Sequence, residues 1–173
     1  FPKMDAEYRV VSAADRNAGR GLTVQNLHCS ELARWPGDAA ETLAGLRAAM
    51  APDAEMVLES TPLGVGGCFH EEWLKADETG MVRHFFPWWM EERYRAKAVS
   101  EASLTEEERA LMAERGLDLK QIGYRRQIRA NFRGLARQEY AEDAESCFLT
   151  SGECVFELAA VEARMKSAPE PAE

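Results

Sequence analysis

Residues 22–60 read LTVQNLHCSELARWPGDAAETLAGLRAAMAPDAEMVLES, and this stretch decides the fold class. Leu22–Cys29 spaces β-branched and apolar residues as a strand does. Pro36-Gly37 breaks the chain, and Asp38 with Glu41 three positions on marks a capped helix start. Leu43, Leu46 and Met50 line one face of that helix, and Pro52 is expected to end it. Glu55–Ser60 is an apolar run of strand length without alternation, which predicts a parallel strand buried on both faces. Strand, helix and strand at this spacing make a βαβ unit, whose crossover forces the strands parallel.

Downstream, Gly64-Val65-Gly66-Gly67 leads into a helix with Phe69, Trp73 and Ala76 on one side and Gly80 as its stop. Met81–Phe86 is expected as a third strand, closed by Pro87. Upstream, residues 1–21 are polar and mixed, and Asn17-Ala18-Gly19-Arg20-Gly21 reads as a turn. From Trp88 onward the pattern is helical. Trp88-Trp89 starts one helix. Thr105 with Glu108 is a second capping-box start, ended by Gly116. A third helix is predicted over Leu117–Tyr140, kinked near Gly134. The predicted organisation is α/β: residues 1–86 as parallel sheet with flanking helices, then 87–173 as a mainly helical subdomain with a frayed tail. Three strands make a thin sheet, and the chain opens at Phe1 rather than Met. Both suggest a piece of something longer.

A length of 173 residues suits one compact domain or one domain with an appendage. With 21 basic against 30 acidic residues the net charge is −9, which argues against coating nucleic acid by bulk charge. No apolar run nears the roughly 20 residues of a membrane helix, and no export signal opens the chain. A cytoplasm with reduced thiols is therefore the expected setting. Cys29, Cys68, Cys147 and Cys154 form no CxxC pair, so a zinc ribbon is excluded. His28-Cys29 and Cys68-Phe69-His70 read as buried thiols beside half-buried histidines rather than a ligand cluster.

Three constellations carry possible chemistry. Leu27-His28-Cys29-Ser30-Glu31 puts an acid just past the carboxyl end of the first strand, where open α/β sheets bind ligands. Glu31 there can polarise a water, or simply begin a solvated loop. Glu59-Ser60-Thr61-Pro62 puts hydroxyls at the next strand end, where they can sense a phosphate or hold a water. The glycines after them fail as a nucleotide cradle: Gly67 is followed by Cys68 instead of the Lys of a P-loop, and Phe69 stands where a dinucleotide fingerprint needs Gly. Finally, Arg115–Arg137 holds seven basic residues and one acid. Arg125, Arg129, Arg133 and Arg137 share one face if the helix is continuous, beside Tyr124, Ile128, Phe132 and Leu135. Such a stripe either meets a polyanion or acidic neighbour, or pairs with the chain's own acids; the second is the commoner outcome.

Taken in order, these segments resemble the large terminase subunit of tailed bacteriophages, the ATPase–nuclease that drives DNA into proheads. GRGLT at Gly19–Thr23 opens the match. LHCSELARW resembles the Walker B strand and its sequel, and ESTPLGVGGCFHEEW the coupling motif. HFFPWW and QEYAEDAESCFLTSGECVF are similar to the stretch that closes the ATPase region. The resemblance implies part of a P-loop-type (ASCE) sheet followed by a helical lid or linker. It implies ATP hydrolysis with Mg²⁺, coupled to translocation of double-stranded DNA in the bacterial cytoplasm. The portal, the small terminase subunit and a ring of like chains would be partners. Glu31 would be the water-activating base, Ser30 a magnesium-side contact, and Ser60 and Thr61 the couplers of nucleotide state to motion. Relatives carry Asp-Glu where this sequence has Ser30-Glu31, and a hydroxyl is a weaker, neutral ligand. The Walker A loop and the nuclease's acidic cluster have no counterpart here, so the chain alone is expected neither to bind ATP well nor to hydrolyse it. The alternative is a non-enzymatic interaction module, a prophage remnant that keeps the ATPase fold.

Overall fold

The computed structural model describes residues 1–15, 17–149 and 164. They belong to two compact units: Phe1–Thr61 with Gly66–Met81, and Pro62–Val65 with Val82–Glu173. The SGECVF motif, Cys154 and the SAPEPAE tail lie outside the described residues.

The first unit is the βαβ element. Strands β1 (Val24–Cys29) and β2 (Met50–Leu58) pair in parallel, with Leu27 opposite Met56 and Cys29 opposite Leu58. Helix α1 (Ala39–Ala48) makes the crossover, and its Asp38 cap accepts the Glu41 backbone N–H at 2.9 Å. Leu43 and Leu46 enter the core as expected, joining Ala18, Cys29 and Leu32. Met50 does not: α1 ends before it, and Met50 instead opens β2. Pro52 falls inside β2 rather than closing the helix. It has no N–H for the ladder, and the register slips there, between the pairs Val24–Met50 and Asn26–Glu55.

The reading of β2 as buried on both faces is also corrected. Met56 and Leu58 pack inward, but Glu55 and Val57 between them are exposed. Its apolar run sits on a sheet with one covered face. Helices α2 (Gly67–Leu74) and α3 (Ala76–Thr79) follow, with Cys68 and Phe69 packed on the core and Gly80 closing α3 at φ 73°. The expected third strand is not formed. Residues 82–87 take no regular structure, and Val82 and Phe86 are exposed. Among the described residues the sheet has two strands.

The second unit is helical. Trp88–Met90 is a single 3-10 turn instead of the start of a helix. Helix α4 (Glu106–Arg115) has both halves of its capping box, Thr105 and Glu108, and a left-handed Gly116 at its end. Helix α5 (Leu119–Phe132) is capped by Asp118, whose side chain accepts the N–H groups of Lys120 and Gln121. The long predicted helix breaks where a kink was expected: Arg133 leaves helical geometry at φ 49°, ψ −123°. A 3-10 turn (Arg133–Leu135) and the short α6 (Ala136–Glu139) follow. Trp88, Leu117, Ile122, Ile128 and Ala136 form the core, edged by Tyr94, Tyr124 and Tyr140. Tyr94 and Tyr124 stack with centroids 5.0 Å apart. Burial, with a bond to Tyr140, pushes the Tyr124 phenol up to about 12. No helix among the described residues is long and apolar enough to cross a membrane.

Candidate functional site

Parallel pairing brings the carboxyl ends of β1 and β2 side by side, which is why residues distant in sequence meet there. The ladder runs on past the strands: Glu59 N–H donates to Cys29 O at 3.0 Å, and Leu32 N–H to Glu59 O at 3.2 Å. Between these bonds the chain turns sharply. Glu31 adopts the left-handed conformation (φ 54°, ψ 42°), uncommon for a residue with a Cβ, and a 3-10 turn over Leu32–Arg34 follows. Leu32, fully buried, anchors that turn.

The result sets the Glu31 carboxylate at the sheet edge against two hydroxyls. Ser60 Oγ and Thr61 Oγ1 each lie 3.4 Å from Glu31 Oε2. Ser60 Oγ also donates to Thr61 O at 2.8 Å and accepts the Ala33 N–H at 3.1 Å, so its position is fixed from both sides. The structure thus brings together three residues singled out from sequence: Glu31, Ser60 and Thr61. It adds one that the sequence reading missed. Arg34 donates to Thr61 Oγ1 at 3.2 Å and reaches 3.6 Å from Glu31 Oε2. Its three-residue spacing from Glu31, in a helical turn, was the available signal.

Ser30 is exposed, and its carbonyl accepts the Trp35 indole N–H at 2.9 Å. A hard cation such as Mg²⁺ wants several oxygen ligands, carboxylates above all. Here one carboxylate, shared with Arg34, and a neutral hydroxyl stand together, which does not by itself make a magnesium site. Among the described residues no group of three or more His, Cys, Asp or Glu is placed to hold a metal ion. Cys29 is buried, and burial raises its thiol to about 11, so it is a poor nucleophile at neutral pH. His28 Nε2 lies 3.5 Å from Glu59 Oε1, and His70 Nδ1 accepts the Gly66 N–H at 3.0 Å.

The four-arginine face is not continuous. Arg125 is only 3% exposed and grips Glu142 with two bonds of 2.6 and 2.8 Å, adding a third of 2.6 Å to Glu107. Burial alone would lower its pKa, but the bonds to Glu142 and Glu107 outweigh that and raise it. Arg129 meets Glu107 at 3.0 Å. The neighbouring Arg126, off the stripe, holds Glu108 with bonds of 2.7 and 2.8 Å. Hydrogen bonds from Arg125 and from Arg126 draw Glu107 and Glu108, respectively, down to about 2. Arg125 and Arg129 therefore pair with the chain's own acids. Arg133 and Arg137 lie beyond the break in α5.

Compared with family models, with curated proteins and with solved structures, the chain finds no match.

Proposed function

We propose that this chain is the second half of an ATPase core of the large-terminase type, built on a P-loop-type (ASCE) sheet, in which Glu31 activates the attacking water. The observation that carries the reading is the half-exposed Glu31 carboxylate, raised on a left-handed turn at a parallel-strand end and faced by Ser60 and Thr61. As water attacks the terminal phosphorus of ATP, Glu31 takes its proton. The new oxygen–phosphorus bond forms while the bond to the ADP oxygen breaks. Ser60 and Thr61, touching both Glu31 and each other, would transmit loss of the phosphate to the strand ends. Mg²⁺ would accompany ATP in the complete protein, with the ordered motifs naming double-stranded DNA, the portal and the small terminase subunit as partners.

The test is steady-state ATPase activity of the longest natural protein carrying this sequence, as wild type and as Glu31→Gln. Loss of a general base costs about 10²–10⁴ in rate, whereas ATP affinity should stay within a few fold. A rate loss below about tenfold removes Glu31 from the role.

The second reading, an interaction module without catalysis, is favoured by one feature. Arg34 lies beside both Glu31 and Thr61, as expected where charge closes a turn instead of serving chemistry. Under it, the wild-type protein shows no ATPase activity above background, so the same assay separates the two.

A further inference from the structure

The helical unit contains a cleft of about 330 Å³ at the break between α5 and α6. That volume is at the small end of the range for ligand sites. Its walls are of two kinds. Trp88, Ile128 and Tyr140 give it an apolar lining with two aromatic rings, while Arg129, Arg133 and Arg137 bring cationic groups to it. Arg125 and Glu142 also line it, but they are bonded to each other.

Arg133 is the informative residue. Its backbone, at φ 49° and ψ −123°, occupies a region that glycine takes freely and a residue with a Cβ does not. A glycine stands next door at 134, yet the strained position holds an arginine. Strain of this kind is characteristic of functional sites. Its effect here is local and specific. It stops α5 and carries Arg133 out of the four-residue row into the lining of the cleft. Arg133 is exposed, and no acid among the described residues pairs with it. Arg125 and Arg129, by contrast, are tied to Glu107 and Glu142, and Arg137 adds its charge to the hydrogen bonds from Ser146 that hold the Asp143 carboxyl low against burial.

We propose that this cleft binds an aromatic phosphate monoester of about nucleoside-monophosphate size, its ring against the partly buried Tyr140 and its phosphate on the Arg133 guanidinium. A planar group suits an apolar wall that carries an aromatic ring. The guanidinium fork suits a phosphate, which it grips with two parallel bonds. The site is independent of the ATPase reading, since all its residues lie in the helical unit.

Isothermal titration of the full chain with dAMP, deoxyadenosine and inorganic phosphate tests it. The expected result is that dAMP binds at least tenfold more tightly than either part alone. Arg133→Gln should weaken dAMP binding about tenfold or more, the worth of one charged hydrogen bond. Arg133→Lys should fall between, as a point charge without the fork. The side chain is exposed, so circular dichroism should show both variants folded. Equal affinity for dAMP and phosphate, no dAMP binding, or an unchanged affinity in Arg133→Gln overturns the proposal.

Discussion

Two glutamates in this chain, Glu31 and Glu142, each face an arginine, and the two units treat the pair in opposite ways. In the α/β unit, Glu31 is half exposed, sits on a strained turn, and approaches Arg34 no closer than 3.6 Å. In the helical unit, Arg125 is sealed from solvent and clamps Glu142 with two bonds of 2.6 and 2.8 Å. A loose exposed pair adds little to stability, about 0–1 kcal/mol. A buried pair is costly to break, because the remaining charge is stranded. A carboxylate of the first kind keeps part of its surface open to solvent, and one of the second kind is fixed in place by its partner.

The largest expected effect follows directly. Arg125→Ala leaves Glu142 beside Trp88 with its main partner gone, and should destabilise the helical unit by about 3–5 kcal/mol. Arg34→Ala in the other unit should cost at most about 1 kcal/mol. Urea unfolding followed by tryptophan emission reads both, since Trp35 and Trp73 lie in one unit and Trp88 and Trp89 in the other. If the two substitutions cost the same, the distinction between the loose and the clamped pair fails.

How much of this was legible in the sequence follows the range of the interactions. Caps are local, so Asp38, Thr105 with Glu108, and the stops at Gly80 and Gly116 all appear where their spacing put them. The meeting of Glu31 with Ser60 and Thr61 was legible too, because a βαβ unit sets adjacent strand ends together. Residues 81–86 misled because apolar content describes a strand's surface but not its hydrogen-bonding neighbour. In the arginine stripe the commoner outcome, pairing with the chain's own acids, holds at Arg125 and Arg129, but the partners themselves could not be read. Periodicity assigned a face to Arg125, but the acids that bury it stand 17 and 18 residues away.

A middle-sized effect sharpens the contrast between local propensity and tertiary fit. Gly123 lies inside α5, where Gly→Ala ordinarily stabilises a helix by up to about 1 kcal/mol. Here an added Cβ would meet the Lys97 carbonyl oxygen at 2.2 Å. That carbonyl belongs to a segment bonded to the start of α5, through Ala96 N–H to Lys120 O and Val99 N–H to Leu119 O. Backbone on both sides must shift, so Gly123→Ala should destabilise by about 1–3 kcal/mol. Thermal unfolding checks the sign, and a stabilised variant would show that the two segments are not in contact.

The smallest effect concerns Arg133 and runs the other way. Replacing it by glycine removes the Cβ from a backbone conformation that disfavours one, releasing strain of about 1–3 kcal/mol. Glycine also loosens the unfolded chain, which offsets roughly 0.5–1 kcal/mol of that gain. A net stabilisation of about 1 kcal/mol remains. Arg133→Ala is the control, because it deletes the guanidinium but keeps the Cβ and therefore the strain. Alanine should leave the melting temperature near wild type, whereas glycine should raise it by a few degrees. Both should lose dAMP binding alike, since neither carries the charge. If strain were held in place for binding, the more stable glycine variant would be the one that has given up the ligand. Equal melting temperatures for the two variants would remove backbone strain from the account, and Arg133 would then stand at the cleft by its charge alone.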